Sequence, residues 1–239
     1  MSRPIETDPE LAYRNLAMGE LGGQLLMGMN IGFYRTFAIP SIARTLVAAG
    51  GLTDSPALRA KTTGDMMYGL IQHGLDSDRG KRIIAAINAM HAAWDISNHE
   101  FLYVLACFEI APLRWCDAHG RRATTDAEKQ ATHAFYQALA KRMGIEAVPR
   151  SWEEFAVWMD EFEKQHYCYT PEAHRLWTST REVLTNRAPR PLAPLVRMAA
   201  DALLDEPLRR AVGASKPTAL AHLLARLLLR LTVPPAVQR

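Results

Sequence analysis

The chain has little cysteine, with only Cys107, Cys116 and Cys168 among its 239 residues. They form no Cys-x-x-Cys pair and leave an odd residue over, so they indicate neither a disulfide framework nor a zinc knuckle. The first ten residues mix acidic and basic side chains and contain no apolar run, unlike a signal peptide. Together these absences predict a cytoplasmic protein in a reducing compartment.

Long hydrophobic runs and a large net charge are absent as well. Charged residues interrupt every apolar stretch before it reaches the roughly 18 residues that a membrane-spanning helix needs. The 28 basic and 25 acidic residues leave a formal charge of +3, which is too small for the electrostatic footprint of a nucleic-acid-binding protein. We therefore expect no spanning helix and no nucleic-acid partner.

Acidic residues are missing from the C-terminal segment in particular. Residues 207–239 include six basic residues and no acidic one, and leucines recur at helical spacing over residues 219–231. A basic amphipathic tail of this kind can make peripheral contact with an anionic membrane surface. The more ordinary interpretation buries the leucine stripe on the protein core and leaves Arg226 and Arg230 in solvent.

What the sequence does contain is helix punctuation. Capping boxes, in which a hydroxyl and a glutamate satisfy free backbone N–H groups, fit three places: Ser97 with Glu100, Thr125 with Glu128, and Ser151 with Glu154. Prolines at positions 9, 56 and 171 fit the first turns of three more helices, and glycines 74 and 120 fit helix ends. The pattern predicts an all-α helical bundle in a single domain over residues 1–239. Prolines divide its tail, residues 187–239, into short helices.

The common nucleotide, hydrolase and zinc-protease motifs are absent, which directs attention to the histidines. Of the eight, only His91 lies within a strongly apolar predicted helix, which runs through residue 94. Small neighbours at positions 86, 89, 92 and 93 would let a flat apolar cofactor approach it. A buried histidine with a hydrogen-bond partner is the alternative interpretation.

A non-haem metal site is a further alternative. His91, Asp95 and His99 are spaced at i, i+4 and i+8, so they would share one face of an unbroken helix. The capping box at Ser97 predicts a helix break between them.

A second group of residues lies on the helix predicted for residues 57–73. Arg59 and Thr63 share one face of it with Met66, Met67 and Leu70. An arginine and a threonine one turn apart can point into a pocket and hydrogen-bond an oxygen species or a haem propionate. Alternatively, Arg59 is solvated and Thr63 bonds to the local backbone.

Several segments, in order and spacing, resemble one known family. They are residues 8–13 (DPELAY), 34–42 (YRTFAIPSI), 59–63 (RAKTT), 73–80 (HGLDSDRG), 88–103 (NAMHAAWDISNHEFLY), 114–115 (RW) and 142–149 (RMGIEAVP). Together they are similar to the MpaB/rubber oxygenase (latex clearing protein) family. The resemblance implies an all-helical, globin-like core that holds a b-type haem and uses O2 to oxidise hydrophobic molecules, isoprenoid alkenes included.

The resemblance also implies roles for individual residues. His91 matches the histidine that binds the haem iron, and Arg59 and Thr63 match the arginine and threonine of an R-x-x-x-T motif on the other side of the haem. Asn88 stands near the cofactor where rubber-cleaving members carry an arginine, and Thr62 replaces their lysine. Between Arg35 and Arg59 the only acidic residue is Asp54, which is no clear counterpart of their upstream catalytic carboxylate. These departures favour the MpaB-like branch, whose fungal members have a membrane anchor that we do not expect here.

We therefore predict a haem b-dependent oxygenase that acts with O2 on a small hydrophobic substrate. Its predicted site comprises His91 as the iron ligand, Asn88 and Arg59 as cofactor-binding residues, and Arg59 with Thr63 as catalytic residues. The alternative is a non-catalytic helical protein that binds a hydrophobic ligand or a membrane surface.

Overall fold

The structure, a computed structural model, describes residues 8–186 and 188–232. These residues contain no β-strand, which confirms the all-α prediction for the part described. None of the described helices is long and apolar enough to cross a membrane. Two short 3-10 helices, Thr36–Ala38 and Arg190–Leu192, accompany the described α-helices: α1 (Pro9–Met18), α2 (Gly22–Arg35), α3 (Pro40–Ala48), α4 (Gly51–Asp54), α5 (Pro56–His73), α6 (Asp78–His91), α7 (Asn98–His119), α8 (Asp126–Met143), α9 (Trp152–His166), α10 (Pro171–Thr185), α11 (Ala193–Ala202), α12 (Glu206–Ala211) and α13 (Ala219–Thr232).

Most of the helix ends are formed by the residues that the sequence predicts. The capping boxes of Ser97 with Glu100 and of Thr125 with Glu128 are complete, and they begin α7 and α8. Asp8 and Thr170 accept hydrogen bonds from the first turns of α1 and α10, each of which has a proline at its start. Gly74 follows α5 with a φ of 81°, a backbone angle that glycine adopts without a steric penalty.

Two predicted helix ends differ from the structure. α6 ends at His91, although the sequence predicts a helix through residue 94. The backbone N–H of Trp94 bonds to the carbonyl of His91 three residues earlier, which is the spacing of a tight turn at a helix end. At the third capping box, Ser151 accepts from the N–H of Glu154, but the Glu154 carboxylate accepts from the N–H of Arg150 and not from that of Ser151.

The described residues fall into two compact units. Unit 1 comprises residues 8–33 and 64–162, and unit 2 comprises residues 34–63, 163–186 and 188–232. The interpretation of residues 1–239 as a single domain is not tested by this division and stays a prediction.

Helix α7 forms the centre of unit 1. α8 packs against both α1 and α7, and twelve of the 22 residues of α7 are buried. α2 approaches α7 closely through two glycines, because a Cβ on Gly28 would lie 2.5 Å from the Cα of Pro112, and one on Gly32 would lie 2.0 Å from the Cys107 carbonyl oxygen. Any side chain at these positions would force the two backbones apart.

Helix α10 lies at the centre of unit 2, where it packs against α3 and α11, and its Trp177 is fully buried. The indole N–H donates to Asp201 at 2.9 Å, and Arg181 pairs with the same buried carboxylate. Arg35 donates from Nε to Glu163 at 2.7 Å and also binds Asp205. Unit 2 therefore contains buried polar side chains whose charges are compensated.

Helix α13 exposes three leucines of the stripe that the more ordinary interpretation buries. Ala221 and Ala225 are buried, and α13 packs against α11, whose Ala199 and Ala200 are buried too. Contact through alanines lets two helices lie close together, and it leaves Leu220, Leu223 and Leu227 exposed. The prediction that these leucines are buried is wrong. The predicted tail lies partly outside the described residues, which omit 187, 233–239 and the side chains of Arg226 and Arg230.

Candidate functional site

His91 is the last residue of α6 and lies in unit 1. It continues the buried edge of the helix, which is formed by Gly80, Ile84 and Ile87 at spacings of four, three and four residues. The side chain is half-buried, with its Nδ1 atom enclosed, and its ring stands edge-on to Phe101 at a centroid distance of 5.2 Å. The structure thus holds the imidazole at a helix end beside apolar neighbours.

The alanines of α6 do not surround His91. Ala85, Ala86 and Ala89 are exposed, and their positions in the helix place them on the side away from its buried edge. Ala92 and Ala93 follow the end of the helix and are exposed as well. The interpretation that small residues line the approach to His91 is therefore wrong for the alanines within α6.

Asn88 lies one turn before His91 and is half-buried. Its side-chain amide donates to the backbone carbonyl of Arg142, at the end of α8, at 3.3 Å. In this arrangement its amide N–H links α6 to α8, and its assignment as a cofactor-binding residue stays a prediction.

The three residues of the non-haem alternative are not brought together. His91 ends α6, Asp95 is exposed between helices, and His99 is exposed in the first turn of α7. The helix break predicted at Ser97 is confirmed by its complete capping box. Within the ranges that the structure describes, no three His, Cys, Asp or Glu side chains are placed to hold a metal ion together.

Arg59 and Thr63 lie in the first turns of α5, within unit 2. Arg59 donates from Nη1 to the Thr63 hydroxyl at 3.1 Å, and that hydroxyl donates to the Arg59 carbonyl at 3.1 Å. The stem of Arg59 lies against Gly51, whose added Cβ would be 3.2 Å from the Arg59 Cδ. Among the described residues, no carboxylate forms an ion pair with Arg59, and Thr63 accepts from one of its five guanidinium N–H donors.

A buried acid–base pair in unit 1 was not singled out from the sequence. Glu109 of α7 and His133 of α8 are 0% and 5% exposed, and His133 Nδ1 lies 2.7 Å from Glu109 Oε1. The second carboxylate oxygen of Glu109 is buried without a hydrogen-bond partner. A lone glutamate within the otherwise apolar residues 101–113 is the signal that could have drawn attention to it, because a buried charge requires a partner.

The pair has shifted proton affinities. Burial raises the pKa of Glu109, although the hydrogen bond and the charge of His133 oppose that shift. Burial lowers the pKa of His133, but the hydrogen bond and the charge of Glu109, together with backbone groups of Pro149 and Arg150, outweigh it and leave that pKa raised. Both groups therefore hold a proton more strongly than they do in water. His133 is thus a histidine with a buried ionisable partner.

Comparisons with known proteins define the class first. The solved structure of latex clearing protein in its closed state matches with a TM-score of 0.72 and 17% identity, over 97% of this chain and 68% of that one. The chain therefore shares that helical fold.

The sequence then gives the family. The profile described as "ER-bound oxygenase mpaB/B'/Rubber oxygenase, catalytic domain" matches residues 17–233, and the chain belongs to this family. ER-bound oxygenase mpaB' of Penicillium brevicompactum is 24% identical over 236 residues, covering 91% of this chain and 56% of that protein. ER-bound oxygenase mpaB of Penicillium roqueforti (strain FM164) is 22% identical over 197 residues, covering 75% of this chain and 66% of that protein. The chain thus spans about half to two thirds of the length of these relatives.

Proposed function

We propose that the chain is a haem b-dependent oxygenase that acts with O2 on a small hydrophobic substrate. Membership of a family of oxygenase catalytic domains is the observation that carries the proposal. The family does not fix the substrate, and isoprenoids and other alkenes are the class that the resemblance suggests.

His91 is the residue that would hold the haem iron. Imidazole is the commonest protein ligand of haem iron, and here it projects from a helix end with an aromatic ring and an aliphatic edge beside it. Because Nδ1 is enclosed, the other ring nitrogen, Nε2, is the atom that would bind the iron. These features fit a haem ligand. Haem, when bound, supplies the iron that activates O2, and the protein supplies orientation and the exclusion of water.

Arg59 and Thr63 would orient a bound oxygen species or a haem carboxylate. Because the Thr63 hydroxyl accepts from Arg59 and donates to the backbone, it fixes one edge of the guanidinium. The remaining guanidinium N–H groups are charged donors, which form the strongest hydrogen bonds to carboxylates and oxygen anions. We assign to this pair the role of orienting the bound group, and the proposal does not use either residue as a proton donor.

An absorption spectrum tests the haem assignment. The full chain is purified with haem supplied, alongside His91→Ala and the matched control His99→Ala, in which an exposed histidine of α7 is removed. We expect a Soret band for the wild type and for His99→Ala, and loss of the band for His91→Ala. Since His91 is half-buried, the free energy of unfolding of His91→Ala should stay within about 1 kcal/mol of the wild-type value.

Two results would count against the assignment. The first is a wild-type protein with no Soret band, and the second is a band that His91→Ala leaves unaltered. Thr63→Val tests the orienting pair separately. It should keep the Soret band but lower O2 uptake on an alkene substrate by about tenfold or more, because Arg59 loses its anchor.

A further inference from the structure

The exposed leucines of α13 form an apolar face on the surface of the described part of the chain. Leu220, Leu223 and Leu227 are 53%, 54% and 44% exposed, and their spacing places them on one side of the helix. We call these three residues the α13 leucine face. A helix of a globular protein normally turns its largest apolar residues inward, so this orientation is unusual.

The opposite side of α13 already provides its contact with the rest of unit 2. Ala221 and Ala225 are buried, and α11 lies against α13. Leu192 and Leu195, in the 3-10 helix and the first turn of α11, are exposed too, at 47% and 36%. The leucine face is therefore not needed for the packing of α13, and apolar exposure extends to the elements next to it.

The chain segment that carries the leucine face is basic. Residues 207–239 include six basic residues and no acidic one. The nearest preceding acid, Glu206, has its pKa lowered by a hydrogen bond and the charge of Arg210, and further by Arg209 and Lys216. Three cations thus lie near this one carboxylate, in α12 and in the segment that leads to α13.

We propose that the α13 leucine face docks on an anionic lipid surface. An amphipathic helix that exposes leucines among basic residues inserts its apolar side between lipid headgroups, while its cations attract anionic lipids. A second copy of the chain fits less well, because two copies would bring like charges together around a small apolar contact. The proposal does not depend on haem or on any oxygenase activity.

Vesicle cosedimentation of the full chain tests the proposal. The vesicles are phosphatidylcholine alone or phosphatidylcholine with phosphatidylserine. We expect binding to the anionic vesicles only, and release at about 1 M salt, where the screening length falls to roughly 3 Å. Leu223→Glu should lower the bound fraction by about tenfold or more, since it places a carboxylate in the inserted face.

Val157→Glu is the matched control. Val157 is 64% exposed in α9 of unit 1, so this variant adds the same charge at an equally exposed apolar position away from α13. It should bind the anionic vesicles as the wild type does. Thermal unfolding of both variants checks that the fold is kept, which we expect because neither side chain is buried.

The proposal fails if the wild type does not bind anionic vesicles, or if Leu223→Glu binds as well as Val157→Glu. It also fails if sedimentation equilibrium shows a wild-type dimer that Leu223→Glu converts to a monomer while vesicle binding is absent. That result would assign the face to a second copy of the chain.

Discussion

Helices α6 and α7 follow each other in the chain, but they differ in how many of their residues are buried. α7 buries twelve of 22 residues, including the ionisable Glu109, whereas α6 buries only Gly80, Ile84 and Ile87 of its 14. Each of the two helices is also associated with one histidine of interest. His133 is enclosed and paired with α7, while His91 ends α6 half-buried beside Phe101.

This difference suggests separate roles for these two histidines of unit 1: His133 stabilises the fold, and His91 binds a ligand. A histidine paired with a buried carboxylate stabilises the fold and has no access to a large cofactor. His91 ends a mostly exposed helix and is only half-buried, and it is the residue that we propose as the cofactor ligand. Variants of α7 should therefore change stability strongly, and variants at His91 should change ligand binding instead.

The largest loss of stability is expected for Glu109→Ala. It leaves His133 buried without its carboxylate partner, and breaking a buried ion pair costs about 3 kcal/mol or more in the free energy of unfolding. Chemical denaturation at neutral pH measures this loss. Glu206→Ala, which breaks the exposed pair with Arg210, is the matched control and should cost much less. Equal losses in the two variants would show that burial of the α7 pair has no energetic consequence.

A smaller loss is expected for Gly32→Ala. Its Cβ would lie 2.0 Å from the Cys107 carbonyl oxygen, so α2 and α7 must separate, at a cost of about 2 kcal/mol. Gly64→Ala is the control, because nothing lies within 4 Å of an added Cβ there and alanine favours the helical backbone of α5. Thermal unfolding should show a lower melting temperature for Gly32→Ala and an unchanged or higher one for Gly64→Ala. A stable Gly32→Ala variant would contradict the close contact of α2 and α7.

The smallest effect concerns pH. The pKa values of Glu109 and His133 are both raised, so the folded chain binds more protons than the unfolded chain. The contribution of His133 is fully present below its ordinary value of 6.5 and is lost as the pH rises through the raised pKa. The free energy of unfolding should therefore fall between about pH 5 and about pH 8.

Glu109→Gln provides the test of that pH dependence. The amide cannot ionise, so it removes the charge that raises the pKa of His133. Denaturant titrations across the same pH range should show a shallower fall than in the wild type. A fall that is equally steep in both proteins would assign the pH dependence to other groups.

Local chemistry explains why the helix starts could be predicted from the sequence. Ser97 with Glu100, and Thr125 with Glu128, satisfy backbone groups within four residues, so no distant part of the chain is needed to form them. The end of α6 and the contact of Glu154 with Arg150 could not be predicted as precisely. In both cases a group has several neighbouring backbone partners, and the sequence does not indicate which one it bonds to. Errors there amount to one to three residues.

Long-range contacts explain what could not be predicted. The carboxylate of Glu109 finds its partner 24 residues away on another helix, and neither residue alone indicates the other. The leucines of α13 follow a typical core pattern, yet α11 packs on the alanines beside them. For the candidate site, the apolar helix and the helical spacing directed attention to His91, Arg59 and Thr63, and the family resemblance supplied their roles. The interpretation that the alanines of α6 line the approach to His91 is the part that the structure overturns.

The ion pairs of Arg35 have a consequence for how the chain is made. Arg35 binds Glu163, which is 128 residues later, and Asp205, which is 170 residues later. At a synthesis rate of about 5–20 residues per second, Arg35 leaves the ribosome on the order of 10 s before Glu163 exists. During that time the N-terminal part of unit 2 carries a cation whose two partners do not yet exist, so its final packing has to wait for the later residues.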